Sequence, residues 1–140
     1  MAKGKVLGLD WGSKRIGIAI SDEGRTVALG RETYQRVSPE EDIKYIKDLA
    51  GREGVELIVL GMPYHMSGDE GELVDAVEDF KSSLEVETSI PVKTVDERLT
   101  SSEAERVMLE SDVSRKDRKL HRDKLAATLI LQRFLDKESN

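Results

Sequence analysis

The sequence predicts an α/β fold: a five-stranded mixed sheet, three antiparallel strands first, with helices on both faces in the order βββαβαβαα. Three observations carry that reading. Residues 5–34 hold three strand-like runs separated only by short turn sequences. The run VELIVLG, residues 55–61, is apolar on both faces, as a central strand covered on each side must be. Beyond residue 38, helical spacing alternates with strand-like runs, which favours a layered sheet-and-helix domain.

KVLGLD, residues 5–10, reads as the first strand, and KRIGIAISD, residues 14–22, as the second, with Ile16, Ile18 and Ile20 alternating against Gly17 and Ala19. DWGSK between them suits a hairpin turn, and DEGR at 22–25 a second turn into a third strand around TVALGRETY. SPEE at 38–41 opens a helix, with Ser38 as N-cap, Pro39 at the first helical position and Glu41 able to complete a capping box. Ile43, Ile46 and Ala50 follow at helical spacing, and Gly51 or Gly54 ends the run. A loop after GMP leads to a second helix whose stripe is Leu73, Ala76, Val77, Phe80 and Leu84. IPVKTVDE, residues 90–97, is the fifth strand. TSSEAERVML, from Thr100 with Glu103 in capping-box relation, starts a third helix, and a polar loop over Ser111–Lys119 precedes a last helix ending near Asp136. That order is the ribonuclease H-like architecture, although a fold alone does not give function.

At 140 residues the chain reads as one domain, 1–140, able to bury roughly 68–70% of its unfolded surface. Cysteine is absent, which excludes disulfides, thiolate metal sites and cysteine nucleophiles. MAKGKVLGLD carries no signal-like apolar segment, and no run approaches transmembrane length, so the expectation is a cytoplasmic protein without a membrane partner. A net charge of −6 argues against a general nucleic-acid coat. One segment runs against it: in SRKDRKLHRDK, residues 114–124, six of eleven positions are Lys or Arg against two Asp. From the run alone, a solvated loop and a phosphate-contacting surface are equally open.

Three carboxylates stand in unusual places. Asp10 ends an apolar strand, where a charge near a sheet centre is expensive unless compensated. Glu97 lies between the fifth strand and the next helix, and strand ends are where α/β sheets gather ligands. Asp123 shares a helical face with Ala127, Ile130 and Phe134. Converging at one sheet centre, these acids would suit a divalent cation, since Mg²⁺ and Mn²⁺ take hard oxygen ligands. Two such ions, roughly 3.5–4 Å apart, activate a water and stabilise the leaving oxygen of a phosphodiester. Plainer roles exist for each acid. Asp10 could accept hairpin N–H groups, Glu97 could pair with Arg98 or Arg15, and Asp123 could face a helix N-terminus.

Four blocks carry a resemblance: LGLDWGSKRIGIAISD, VLGMPYHMSGDEG, VDERLTSSEAE and SRKDRKLHRDKLAATLILQRFLD. Together they span nearly the whole chain. They resemble the YqgF-type "putative pre-16S rRNA nuclease" family, also described as RuvC-like Holliday junction resolvases. The resemblance implies a ribonuclease H-like fold and Asp10, Glu97 and Asp123 as the three catalytic acids and metal ligands. It also implies a divalent-metal-dependent endonuclease that matures the 5′ end of small-subunit ribosomal RNA. Resolution of branched DNA is the older inferred role. His65 stands where the family often has Asn, and the Thr-Ser pair after DERL replaces two threonines.

In the family, the loop before the last helix lies beside the site, so Arg115, Lys116, Arg118 and Lys119 are expected to contact phosphates from a mobile loop. Arg15 and Arg98 join them. Asp10 is expected to bridge two ions, Mg²⁺ or Mn²⁺, with Glu97 and Asp123 each completing one side and Asp96 orienting a water or a basic neighbour. Trp11 and Tyr64 are the aromatics placed to touch substrate, and packing is the plainer role for Trp11. His65 and His121 are too few and poorly spaced for zinc. The expected partners are structured RNA or branched DNA, a small-subunit precursor among them, and the expected state is a monomer or weak homodimer. Two rival readings remain: a nucleotide-binding domain, because GLDWGSKRIGIAI also resembles a phosphate loop of actin-like ATPases, and a non-catalytic nucleic-acid or ribosome-binding adaptor.

Overall fold

The computed structural model describes residues 4–62, 70–96 and 115–139, and within them the side chains of 70–73, 115–123 and 139 are outside the description. Five strands form one sheet: β1 (Lys5–Trp11), β2 (Arg15–Ser21), β3 (Ala28–Gln35), β4 (Val55–Met62) and β5 (Val92–Asp96). Their spatial order is β3-β2-β1-β4-β5. The first three form an antiparallel meander, while β4 joins β1 and β5 joins β4 in parallel. This is the mixed sheet that the sequence predicts, with β1 at its centre.

Side chains alternate across the sheet and divide its core in two. Leu7, Leu9, Ile16, Ile18, Ile58, Leu60 and Met62 face α1 (Pro39–Glu53) and α2 (Glu70–Thr88). Val6, Ala19, Leu57 and Val59 face the single long helix α3 (Arg115–Ser139) with its Ala127, Ile130, Leu131 and Phe134. Helix α1 starts as expected: Ser38 Oγ accepts from Glu41 N–H at 3.2 Å, and Pro39 follows at the first turn. Of the two candidate glycines, Gly54 ends it. Its φ of 70° is the left-handed conformation glycine adopts without a Cβ penalty, and its N–H caps Ala50 O. In α2, Val77, Phe80 and Leu84 are buried as their spacing predicts.

The polar segment before the last helix departs from expectation. Backbone from Arg115 onward is already helical, so Arg115, Lys116, Arg118 and Lys119 belong to the first turns of α3 and not to a loop. Lys and Arg are good helix formers, and the apolar face downstream extends the helix back through them. The helix expected from Thr100 lies outside the described residues. Among the described residues, no helix is long and apolar enough to cross a membrane.

Candidate functional site

Asp10 is the penultimate residue of β1 and is half-buried. By alternation it shares a face with Val6 and Gly8, the face that α3 covers. Its neighbours across the sheet on that face carry no side chains. Gly17 is its register partner on β2, and Gly61 follows Leu60, the partner of Leu9, on β4. The carboxylate therefore stands on an open glycine floor at the C-terminal edge of the two central parallel strands. Sequence reasoning missed this floor. The signal was the single glycine inside each of two apolar runs.

Helix α3 crosses this face antiparallel to β1. A methyl group on Gly8 would stand 2.7 Å from Leu131 Cβ and 3.2 Å from Ala127 O, so the helix seats closely there. Gly30, level with Gly8 through Ala19, faces Lys124 and Thr128. Lower on β3, Gln132 accepts from Ala28 N–H at 2.8 Å and donates to Thr26 O at 2.9 Å. From Gly8 to Asp10 is two strand residues, about 6.6 Å. From Ala127 back to Asp123 is one helical turn, about 6 Å. The backbone at Asp123 is thus level with Asp10.

The remaining expected residues divide. Asp96 ends β5, paired with Met62. Lys93 and Val95 pack toward α3, so alternation sets Asp96 on the opposite face, with Val92 and away from Asp10. Arg15 opens β2, and its carbonyl accepts from Gly12 N–H at 2.9 Å to close the β1–β2 turn. A Cβ on Gly12 would meet that carbonyl oxygen at 2.9 Å, which explains glycine there. Glu97, Arg98, Tyr64 and His65 are outside the described residues, as are the side chains of Asp123, His121, Arg115, Lys116, Arg118 and Lys119. Among the described residues, no three acidic or histidine side chains group into a complete metal cluster.

Behind Asp10, on the α1 face, lies a polar network that sequence reasoning did not find. Asp42 is fully buried. It accepts from Arg36 Nε at 2.7 Å, from Val37 N–H at 2.9 Å and from the Tyr34 hydroxyl. Burial, then this bond to a carboxylate, pushes the Tyr34 pKa above its ordinary 10.0. Arg36 Nη1 donates to Gly12 O at 3.2 Å and Ser13 O at 3.1 Å, and its backbone N–H donates to Lys14 O at 3.0 Å. The same guanidinium lies over the Trp11 ring, 4.6 Å from its centroid. Trp11 also packs against Phe80 at 6.2 Å between centroids. Packing, as its plainer role had it, describes Trp11.

Known proteins agree with this architecture. The family model RuvX, described as a Holliday junction resolvase, matches residues 4–137. A protein of Halothermothrix orenii named "Putative pre-16S rRNA nuclease" is 47% identical over 132 residues, covering 94% of each chain. One of the same name from Caldanaerobacter subterraneus subsp. tengcongensis is 46% identical over 137 residues, covering 97% of this chain and 99% of its own. The solved structure of T. thermophilus RuvC in complex with Holliday junction substrate superposes with a TM-score of 0.65 at 15% identity, over 98% of this chain and 97% of that one. That likeness is one of fold, and it makes the mixed sheet ribonuclease H-like. With nearly every described element inside the matched span, the chain belongs to the RuvX family of YqgF-type, Holliday junction resolvase-like proteins.

Proposed function

We propose that the protein is a cytoplasmic, divalent-metal-dependent endonuclease that hydrolyses phosphodiesters of structured RNA, with 5′-end maturation of pre-16S rRNA as its role. The observation that carries this reading is the carboxylate of Asp10 on its glycine floor, level with Asp123 on the helix above. The two sequence relatives named for pre-16S rRNA nuclease activity support the choice of substrate.

The donor set fits a hard cation: Asp10 offers a half-buried carboxylate, an oxygen ligand of the kind Mg²⁺ and Mn²⁺ take, and its cross-strand neighbours Gly17 and Gly61 add no side chain beside it. Asp10, Glu97 and Asp123 would hold it. Mg²⁺ or Mn²⁺, when bound, supplies charge stabilisation at the phosphodiester and a nucleophilic water. The chain's own part is orientation. The strand end of β1 carries Asp10, and α3 brings the backbone of Asp123 level with it. Arg15, Arg98, Arg115, Lys116, Arg118 and Lys119 engage backbone phosphates, which position the substrate without reading its sequence. The four basic residues in the first turns of α3 add to the positive end of its dipole, which favours an anion there.

A second reading, resolution of branched DNA, is favoured by the family's description. The deciding experiment offers the purified protein, with Mg²⁺ or Mn²⁺, a precursor rRNA 5′ fragment, single-stranded RNA and DNA, and a four-way DNA junction. We expect metal-dependent cutting of the precursor RNA, abolished in Asp10→Asn. Preferred cutting of the junction would make the protein a resolvase. Binding without cutting on any substrate would make it an adaptor.

A further inference from the structure

We propose that the β1–β2 turn, residues 12–14, is a phosphate cradle that takes a backbone phosphate of the substrate beside the one that is cut. The inference rests on the nuclease reading and deepens it. It starts from where the carbonyls of the turn go. Arg36 Nη1 donates to Gly12 O at 3.2 Å and to Ser13 O at 3.1 Å, and the Arg36 backbone N–H donates to Lys14 O at 3.0 Å. Three consecutive carbonyls are thus drawn to one arginine, which buried Asp42 holds at 2.7 Å. A trans peptide is planar, with its N–H opposite its C=O. The two carbonyls that share Nη1 therefore turn the N–H groups of Ser13 and Lys14 together, away from the guanidinium. The negative ends of these peptide dipoles face a cation, and the positive ends face outward.

The outward groups are all donors in waiting. Ser13 and Lys14 are exposed. Among the described residues, their N–H groups, the Ser13 hydroxyl and the Lys14 ammonium make no hydrogen bond or ion pair. Two parallel amides, a hydroxyl and a positive charge on one braced turn are the donor set that a phosphate takes. Position selects a polymer's phosphate over that of a lone nucleotide. The turn leaves β1 at the end that carries Asp10, and Ser13 is three residues on, within about 10 Å. Helix α3 runs antiparallel to β1, so its basic first turns extend past the same end. Cations on both sides of Asp10 suit a chain of phosphates passing over it.

The test uses the full chain and a short precursor-rRNA 5′ fragment, with affinity read in EDTA so that cutting does not enter. Each phosphate in turn is replaced by an uncharged methylphosphonate. In the wild type we expect one position, next to the cleaved bond, to lose about fivefold in affinity. Lys14→Gln should weaken the unmodified RNA by about the same factor and lower the slope of log Kd against log salt by about one. The sensitive methylphosphonate should then cost Lys14→Gln less than about twofold. Lys44→Gln, at an exposed lysine of α1, should match the wild type throughout, and all three proteins should melt together. No sensitive position in the wild type, or a profile unchanged by Lys14→Gln, overturns the cradle and leaves the nuclease reading standing. Equal weakening in Lys44→Gln overturns it as well, because overall charge would then suffice. The expected profile on an RNA that the wild type does not cut with Mg²⁺ or Mn²⁺ supports the phosphate contact and overturns the nuclease reading. ATP and inorganic phosphate are titrated alongside by calorimetry. Binding of either that Lys14→Gln abolishes, with the RNA profile unchanged, overturns the assignment to the substrate backbone and makes the turn a small-molecule site.

Discussion

Asp42 shows how much a single side chain can be asked to hold. Removing it strands the Arg36 guanidinium, which is only 16% exposed, without its counter-charge. Breaking such a pair from one side costs about 3–5 kcal/mol. Asp42→Ala should therefore lower the urea midpoint by that much stability with the m-value unchanged, which equilibrium unfolding checks. Tyr34 adds a pH signature. Its folded-state pKa is raised above 10.0, so the folded form holds the phenolic proton more tightly than the unfolded one. That contribution is complete below pH 10 and is lost as pH rises through the raised folded value. Tyr34→Phe should flatten this alkaline loss, as melting temperatures from pH 8 upward would record. Neither residue announced itself beforehand. In SPEEDI an aspartate in the first turn reads as a partner of the helix dipole, and Arg36 reads as a loop cation. What distinguishes them is burial, and burial at a turn depends on how three separate segments meet.

At the scale of elements, the seat of α3 on the sheet decides whether the proposed acids face each other. Gly8→Ala puts a methyl 2.7 Å from Leu131 Cβ and 3.2 Å from a helix carbonyl that cannot yield. Overpacking of this kind costs about 1–3 kcal/mol. It should also lift α3 away from Asp10, so cleavage should fall more than the stability loss explains. Comparing kcat with Tm across Gly8→Ala and a matched core change such as Ile46→Val separates the two effects. Strands and helices were largely legible, because the Ile16, Ile18, Ile20 alternation and the Val77, Phe80, Leu84 spacing are each dictated by one buried face. The start of α3 was not. Its basic residues carry no apolar signal of their own, and only the helix propensity of Lys and Arg, set against their mutual repulsion, foretold that the backbone would already be helical there.

For the molecule as a whole, charge and ligand set the expected behaviour. On the proposed function, a chain of net charge −6 that binds RNA through a few cations should show strong salt dependence. Replacing Arg115, Lys116, Arg118 and Lys119 by Gln should weaken RNA binding and flatten its slope between about 50 and 200 mM salt. The topology was legible because three meander strands followed by alternating helices leave few ways to close a sheet. Asp10 was legible because a carboxylate ending an apolar strand is costly; the glycines beside it were not, since their meaning exists only once β2 and β4 flank β1. The covering of that central strand has one more consequence. Its α3 face is closed by a helix that follows all five strands in the chain, so during synthesis the apolar row of Val6, Ala19 and Val59 waits uncovered for on the order of ten seconds. Until then one half of the core is missing and the backbone of Asp123 is not yet level with Asp10. On the proposed function, the newborn chain is both vulnerable to sticking and chemically idle, and the same docking event ends both conditions.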